Sequence, residues 1–117
     1  MPLFVDARVP VRFGSVSDAA PGLALLIEGD TRAPDGVAVA RFTDTAPPGP
    51  HPPGCPCCTA RSPVAVALAA LFLARARGEV GFFRTVLAVC RTPDGEAAVR
   101  AALECDPLVI AWFRSIA

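Results

Sequence analysis

Residues 23–28, Leu23-Ala24-Leu25-Leu26-Ile27-Glu28, decide how this chain folds. Five consecutive apolar residues stand between Pro21-Gly22 and Glu28-Gly29-Asp30. A strand with one wet face alternates apolar and polar side chains, whereas an unbroken short run predicts a strand covered on both faces, as in a parallel sheet. Ala33-Pro34-Asp35-Gly36 then signals a turn, and Val37-Ala38-Val39-Ala40-Arg41-Phe42 alternates like a second strand. Glu28 and Asp30 read as a solvated strand end rather than an acid pair poised for chemistry.

Outward from this core, residues 3–5 and Val9-Pro10-Val11-Arg12-Phe13 suit short strands, Pro10 favouring a sheet edge or a strand start. The stretch Gly14 to Gly22 reads as a loop without lysine, so it lacks the G-x-x-x-x-G-K-[ST] pattern of a phosphate-cradling loop. Downstream, Ser62-Pro63 opens a helix, serine as N-cap and proline in the first turn, that runs to Arg77 with Gly78 as its stop. Val64, Val66, Leu68, Leu71, Phe72 and Leu73 make it apolar almost all round, which predicts burial against a sheet or a second chain. Phe82 to Val89 reads as a strand ending at Cys90, Thr92-Pro93-Asp94-Gly95 as a turn and helix start, and Glu96 to Cys105 as a helix. Asp106-Pro107 opens a last short helix, Leu108 to Phe113. This order predicts an α/β fold: a small layered sheet with flanking helices and at least one parallel crossover.

The 117 residues suffice for one core, so a single domain spans 1–117, with 1–21 as an N-terminal strand and loop segment. Eleven basic residues, all of them Arg, balance eleven acidic ones. With no net field, neither nucleic acid nor a membrane surface is an expected partner. Lys, Tyr, Asn and Gln are absent while Ala, Pro and Gly abound, a skew that reads as codon bias in a GC-rich genome. The longest apolar run, Pro63 to Ala74, is too short to span a bilayer. Met1 to Asp6 lacks the basic-then-apolar order of a secretion signal. An odd number of cysteines, five, with three packed too closely for a disulfide framework, fits a reducing compartment. The expected location is cytoplasmic.

Chemistry concentrates in His51-Pro52-Pro53-Gly54-Cys55-Pro56-Cys57-Cys58, which holds three of the five cysteines and the only histidine. Thiolate and imidazole are the ligands that Zn²⁺ and other soft or borderline ions prefer. Cys55, Cys57 and Cys58 are therefore candidate metal ligands, with His51 as a candidate fourth. C-x-C-C is tighter than the usual C-x₂₋₄-C spacing, and adjacent Cys57 and Cys58 need not reach one ion. A redox-active pair or structural thiols near a helix start are the alternatives. Cys90, after a strand, is a further candidate ligand or a buried small hydrophobe; Cys105, late in a helix, reads as core or interface. His51 has no nucleophile–base–acid arrangement around it, so no enzyme activity is expected.

Gly54-Cys55-Pro56-Cys57-Cys58-Thr59-Ala60-Arg61 resembles the hallmark of the CobW-type GTP-dependent metallochaperones, Gly-Cys-x-Cys-Cys followed by a hydroxyl residue, a variable residue and Arg. The likeness extends over residues 22–114 through Arg77-Gly78-Glu79, Phe83-Arg84, Val86-Leu87, Asp106-Pro107-Leu108 and Phe113-Arg114, and through two upstream strand candidates. It implies a reduced P-loop-NTPase-like domain, residues 22–117 being the CobW-like remnant, and a metal site at Cys55, Cys57 and Cys58. Zinc or cobalt is the family's usual metal. Three departures stand against GTP hydrolysis: no phosphate-binding loop in Phe13 to Gly22, Ala88-Val89-Cys90 where the family strand ends in glutamate, and no guanine-reading segment within the 117 residues. The resemblance thus implies a nucleotide-independent metal-binding protein for storage, sensing or transfer. The alternative is a non-catalytic module that forms a homodimer or docks on a full-length CobW-type GTPase.

Overall fold

In the structure, a computed structural model, residues 7–43 and 62–116 are described. Five strands, β1 (Val9–Phe13), β2 (Leu23–Glu28), β3 (Val39–Phe42), β4 (Thr85–Val89) and β5 (Phe113–Ser115), form one sheet in the order β3-β2-β4-β1-β5. Every pairing is parallel. Three helices, α1 (Pro63–Ala76), α2 (Pro93–Cys105) and α3 (Pro107–Trp112), accompany them.

The Leu23–Ile27 run behaves as its composition requires. Ala24, Leu25, Leu26 and Ile27 are all fully buried, and β2 lies between β3 and β4. Strand periodicity divides the core into two clusters. On one face Ala24, Leu26, Val86, Ala88, Val9, Val11 and Phe113 pack under the helices, against Val64, Leu68, Leu71, Val99, Leu103 and Val109. On the other, Leu25, Ile27, Leu87 and Val89 are covered by Val16 and Ala19 of the β1–β2 connection and by Ala33 and Val37 of the β2–β3 connection. Moving toward β3 on the loop face and toward β5 on the helix face gives all the crossovers one hand, as the twist of parallel sheets demands.

Each helix starts and stops on local chemistry. Ser62 caps α1, its Oγ accepting the Ala65 amide at 3.1 Å, with Pro63 in the first turn. Gly78, at φ 73°, ends it: Glu79 N–H donates to Ala74 O and Gly78 N–H to Arg75 O, satisfying the last carbonyls through a left-handed residue. Thr92 caps α2 and Asp106 caps α3, the latter accepting from Leu108 and Val109 amides. The ring of Phe72 in α1 stacks on Trp112 at 4.4 Å and meets Phe113 edge-on at 5.9 Å.

Residues 3–5 and the whole 51–58 motif lie outside the described residues. Within them, several expectations shift. Phe82 and Phe83 precede β4 instead of belonging to it, because Arg84 N–H and Thr85 N–H both turn to Gly22 O. Helix α2 starts at Pro93, three residues earlier than expected, since Thr92 Oγ1 takes the Gly95 amide. Phe113 to Ser115 is a fifth strand paired with Val9 to Val11, which puts β1 inside the sheet; Pro10 is tolerated because the pairing with β4 begins only at Val11, so Pro10 has a ladder partner on the β5 side alone.

Candidate metal centre and the carboxyl edge of the sheet

Because all strands are parallel, Phe13, Glu28, Phe42 and Val89 end on one edge, where ligands of α/β sheets gather. The chain leaves β1 toward β2 on one side and crosses from β4 to β5 on the other, so the switch point lies between the ends of β1 and β4. Thr43, from which the chain leads into the 44–61 connection bearing the cysteine motif, follows β3 at this same edge. The four predicted ligands, His51, Cys55, Cys57 and Cys58, lie in that connection, outside the described residues. Their donor set, three sulfurs and an imidazole, matches the preference of Zn²⁺. Among the described residues no group of three or more His, Cys, Asp or Glu side chains is placed to hold a metal ion.

On the β1 side of the switch point the loop is closed by its own acid. Gly14 N–H donates to Ala88 O at 3.1 Å, and Asp18 Oδ2 accepts from the Ser15 amide at 2.9 Å and the Ser15 hydroxyl at 3.3 Å. Those bonds, the amide first, hold the Asp18 carboxyl below its ordinary value. A phosphate-cradling loop offers open amides to an anion; here a carboxylate already occupies one.

On the β4 side sits Cys90. It is half-buried, and burial first, then the Glu28 and Glu96 carboxylates, push its thiol up to about 11, against a smaller opposing pull from Arg100. Only the thiolate is a strong ligand or nucleophile, so Cys90 is a poor donor before any metal arrives. Cys105 is exposed at the end of α2, not in the core.

The residue that sequence reasoning misjudged is Glu28. It is buried, not solvated, and is 8% exposed. Its Oε1 accepts from the Arg91 amide at 2.6 Å and the Thr92 amide at 2.9 Å, while Oε2 accepts from the Thr92 hydroxyl at 2.7 Å. Thr92 Oγ1 in turn accepts the Gly95 amide at 3.0 Å, so one carboxylate ties β2 to the N-terminus of α2. A side chain on Gly95 would overlap that carboxylate, which is why the position is glycine. Burial raises the Glu28 carboxyl, but the Thr92 hydroxyl and amide, the Arg91 amide and the Arg91 charge together outweigh it, and the net shift is downward. A carboxylate so engaged is a structural tie, unsuited to moving protons. Glu28 shares the parity of Ala24 and Leu26, the helix-facing residues of the strand, but in a run apolar on both faces that parity carries no signal in the sequence. Asp30, by contrast, is a solvated strand end, its side chain fully exposed and 3.5 Å from Arg91.

No protein-family model, curated protein or solved structure matches the chain. The likeness to CobW-type metallochaperones therefore rests on the quoted residues. No helix among the described residues is long and apolar enough to cross a membrane.

Proposed function

We propose that this chain is a metal-binding protein, for zinc or another soft or borderline divalent ion, held by Cys55, Cys57 and Cys58 with His51 as the candidate fourth donor. The observation that carries the reading is the density of donors: three thiols and the only imidazole within eight residues, in the connection between β3 and α1. The all-parallel sheet supports it, since that connection departs from the carboxyl edge. In this reading the protein is a cytoplasmic, nucleotide-independent relative of the CobW-type metallochaperones that stores, senses or passes on its ion, and not an enzyme. The Asp18-filled turn after β1 and the Cys90 thiol at the end of β4 favour the loss of GTP chemistry. When bound, the metal would contribute folding energy by cross-linking the connection, or a transferable cargo. Elemental analysis of the protein as purified, with thiol titration before and after chelation, tests this. About one zinc per chain, lost in Cys57→Ser/Cys58→Ser, supports it; negligible metal in the intact protein sinks it.

A second reading has one observation in its favour. Val66 and Leu73 of α1 remain 53% and 38% exposed, with exposed Ala70 between them. That apolar stripe suits a homodimer or docking on a GTPase partner, with the cysteines structural. Concentration-independent monomer mass in sedimentation would remove the homodimer.

A further inference from the structure

At the amino edge of the sheet, opposite the edge from which the 44–61 connection departs, three loops line a cleft of about 420 Å³. Its walls are Ala19–Leu23 before β2, Pro34–Ala38 before β3 and Gly81–Phe83 before β4. That volume falls in the range of small-ligand pockets, which are mainly apolar with a few placed polar groups.

Two features make this more than a gap between loops. The first is Phe82, 71% exposed yet fixed in place. Arg75 lies over three rings, 5.2 Å from Phe72, 4.8 Å from Phe82 and 5.1 Å from Phe83, and its Nη1 donates to Phe83 O at 2.9 Å. An exposed aromatic wall held by a stacked guanidinium is pre-organised, so a ligand loses little by ordering it. The second is charge: Asp35 is the single charged residue in the lining. Gly22, Gly36 and Gly81 complete the floor, and a Cβ on any of them would meet no atom within 4 Å. Gly22 and Gly36 have positive φ, which accounts for glycine there; Gly81 has neither a positive φ nor a close neighbour, so no backbone or packing constraint requires glycine at that position.

We infer that this cleft binds a small organic cation, an ammonium carried on an aromatic body. The body covers the Phe82 ring, and the ammonium sits at Asp35, because Arg75 already holds one face of that ring and repels a second cation there. The inference is independent of the metal reading and stands or falls separately.

The test is a titration of the full chain with 2-phenylethylammonium, 2-phenylethanol and 3-phenylpropionate, followed by amide NMR shifts. The ammonium should shift Gly22, Gly36 and Gly81 saturably, with a Kd on the order of 1 mM or tighter for so small a ligand. The alcohol should bind about two- to fivefold more weakly, the value of an exposed ion pair, and the carboxylate weaker still. Asp35→Asn should bring the ammonium to the alcohol's affinity, and Phe82→Ala should weaken the ammonium and the alcohol by about tenfold. Both positions are exposed, so both variants should keep the native spectrum elsewhere. No saturable shift at the three glycines overturns the site; equal binding of cation and carboxylate overturns the ligand class.

Discussion

The two faces of the sheet bury the same kinds of residue under different covers. Leu68 on the helix face and Leu87 on the loop face are both fully buried. Leu68 sits in a helix whose N-cap and left-handed stop are both satisfied. Leu87 is covered by connections that carry one three-residue turn of 3₁₀ helix, Val16–Asp18, and otherwise no regular structure. A parallel sheet needs both faces dry, and this chain dries one with loops pinned by a few hydrogen bonds. The two leucines are equally buried; resistance to collapse around them need not be equal.

The largest expected effect separates the faces directly. Leu68→Ala should cost about 3–5 kcal/mol, because the surrounding helices relax little around the cavity. Leu87→Ala should cost about 2–3 kcal/mol, since the loops over it settle more readily. Urea unfolding of both variants decides; equal costs would mean that the loop face is packed as firmly as the helical one.

Next comes the tie between β2 and α2. Gly95→Ala should destabilise by about 1–3 kcal/mol, the usual cost of overpacking, as the new methyl displaces the Glu28 carboxylate. The same change made in a Glu28→Ala background should cost markedly less, and a double-mutant cycle showing simple additivity would refute the contact.

Glu28→Gln should cost about 1–2 kcal/mol near neutral pH, by weakening charge-assisted bonds from Arg91 and Thr92. Its pH dependence has a fixed sign. The folded carboxyl lies below its ordinary value, so the stabilisation is whole above the unfolded pKa and fades as pH falls through the folded one. The gap between wild type and variant should therefore narrow in acid. A gap that widens on acidification would contradict the assignment.

The smallest effect on stability belongs to Cys90. With its thiol at about 11, alkylation at pH 7 should run on the order of a hundredfold slower than for an ordinary thiol and accelerate as pH rises. Peptide mapping after timed iodoacetamide treatment reads this. Fast labelling of Cys90 at neutral pH would restore it as a candidate ligand.

Much of the fold was legible because it depends on local rules. The apolar run at Leu23–Ile27 required burial on two faces, and Ser62-Pro63 with Gly78 bounded α1 to within a residue. What stayed hidden depends on contacts distant in sequence. Glu28 looks like a strand end until Arg91 and Thr92, more than sixty residues later, enclose it. Phe113 to Ser115 is apolar only at its first residue and becomes a strand because β1 offers an edge. The loop cover over Leu87 carries no periodicity for a reader of patterns to find. For the candidate site, the clustering of three thiols and an imidazole in residues 51–58 is a reading of the sequence alone, since those residues lie outside the described ones; the fold adds only the carboxyl edge from which their connection departs and the closed turn at Asp18.

The most direct measurement is a cobalt(II) titration of the metal-free chain, read by the near-ultraviolet thiolate-to-metal charge-transfer band. The band should saturate at about one cobalt per chain, persist in Cys90→Ser and vanish in Cys57→Ser/Cys58→Ser. No band in the intact protein, or one indifferent to the double substitution, would contradict a metal centre built on residues 55–58.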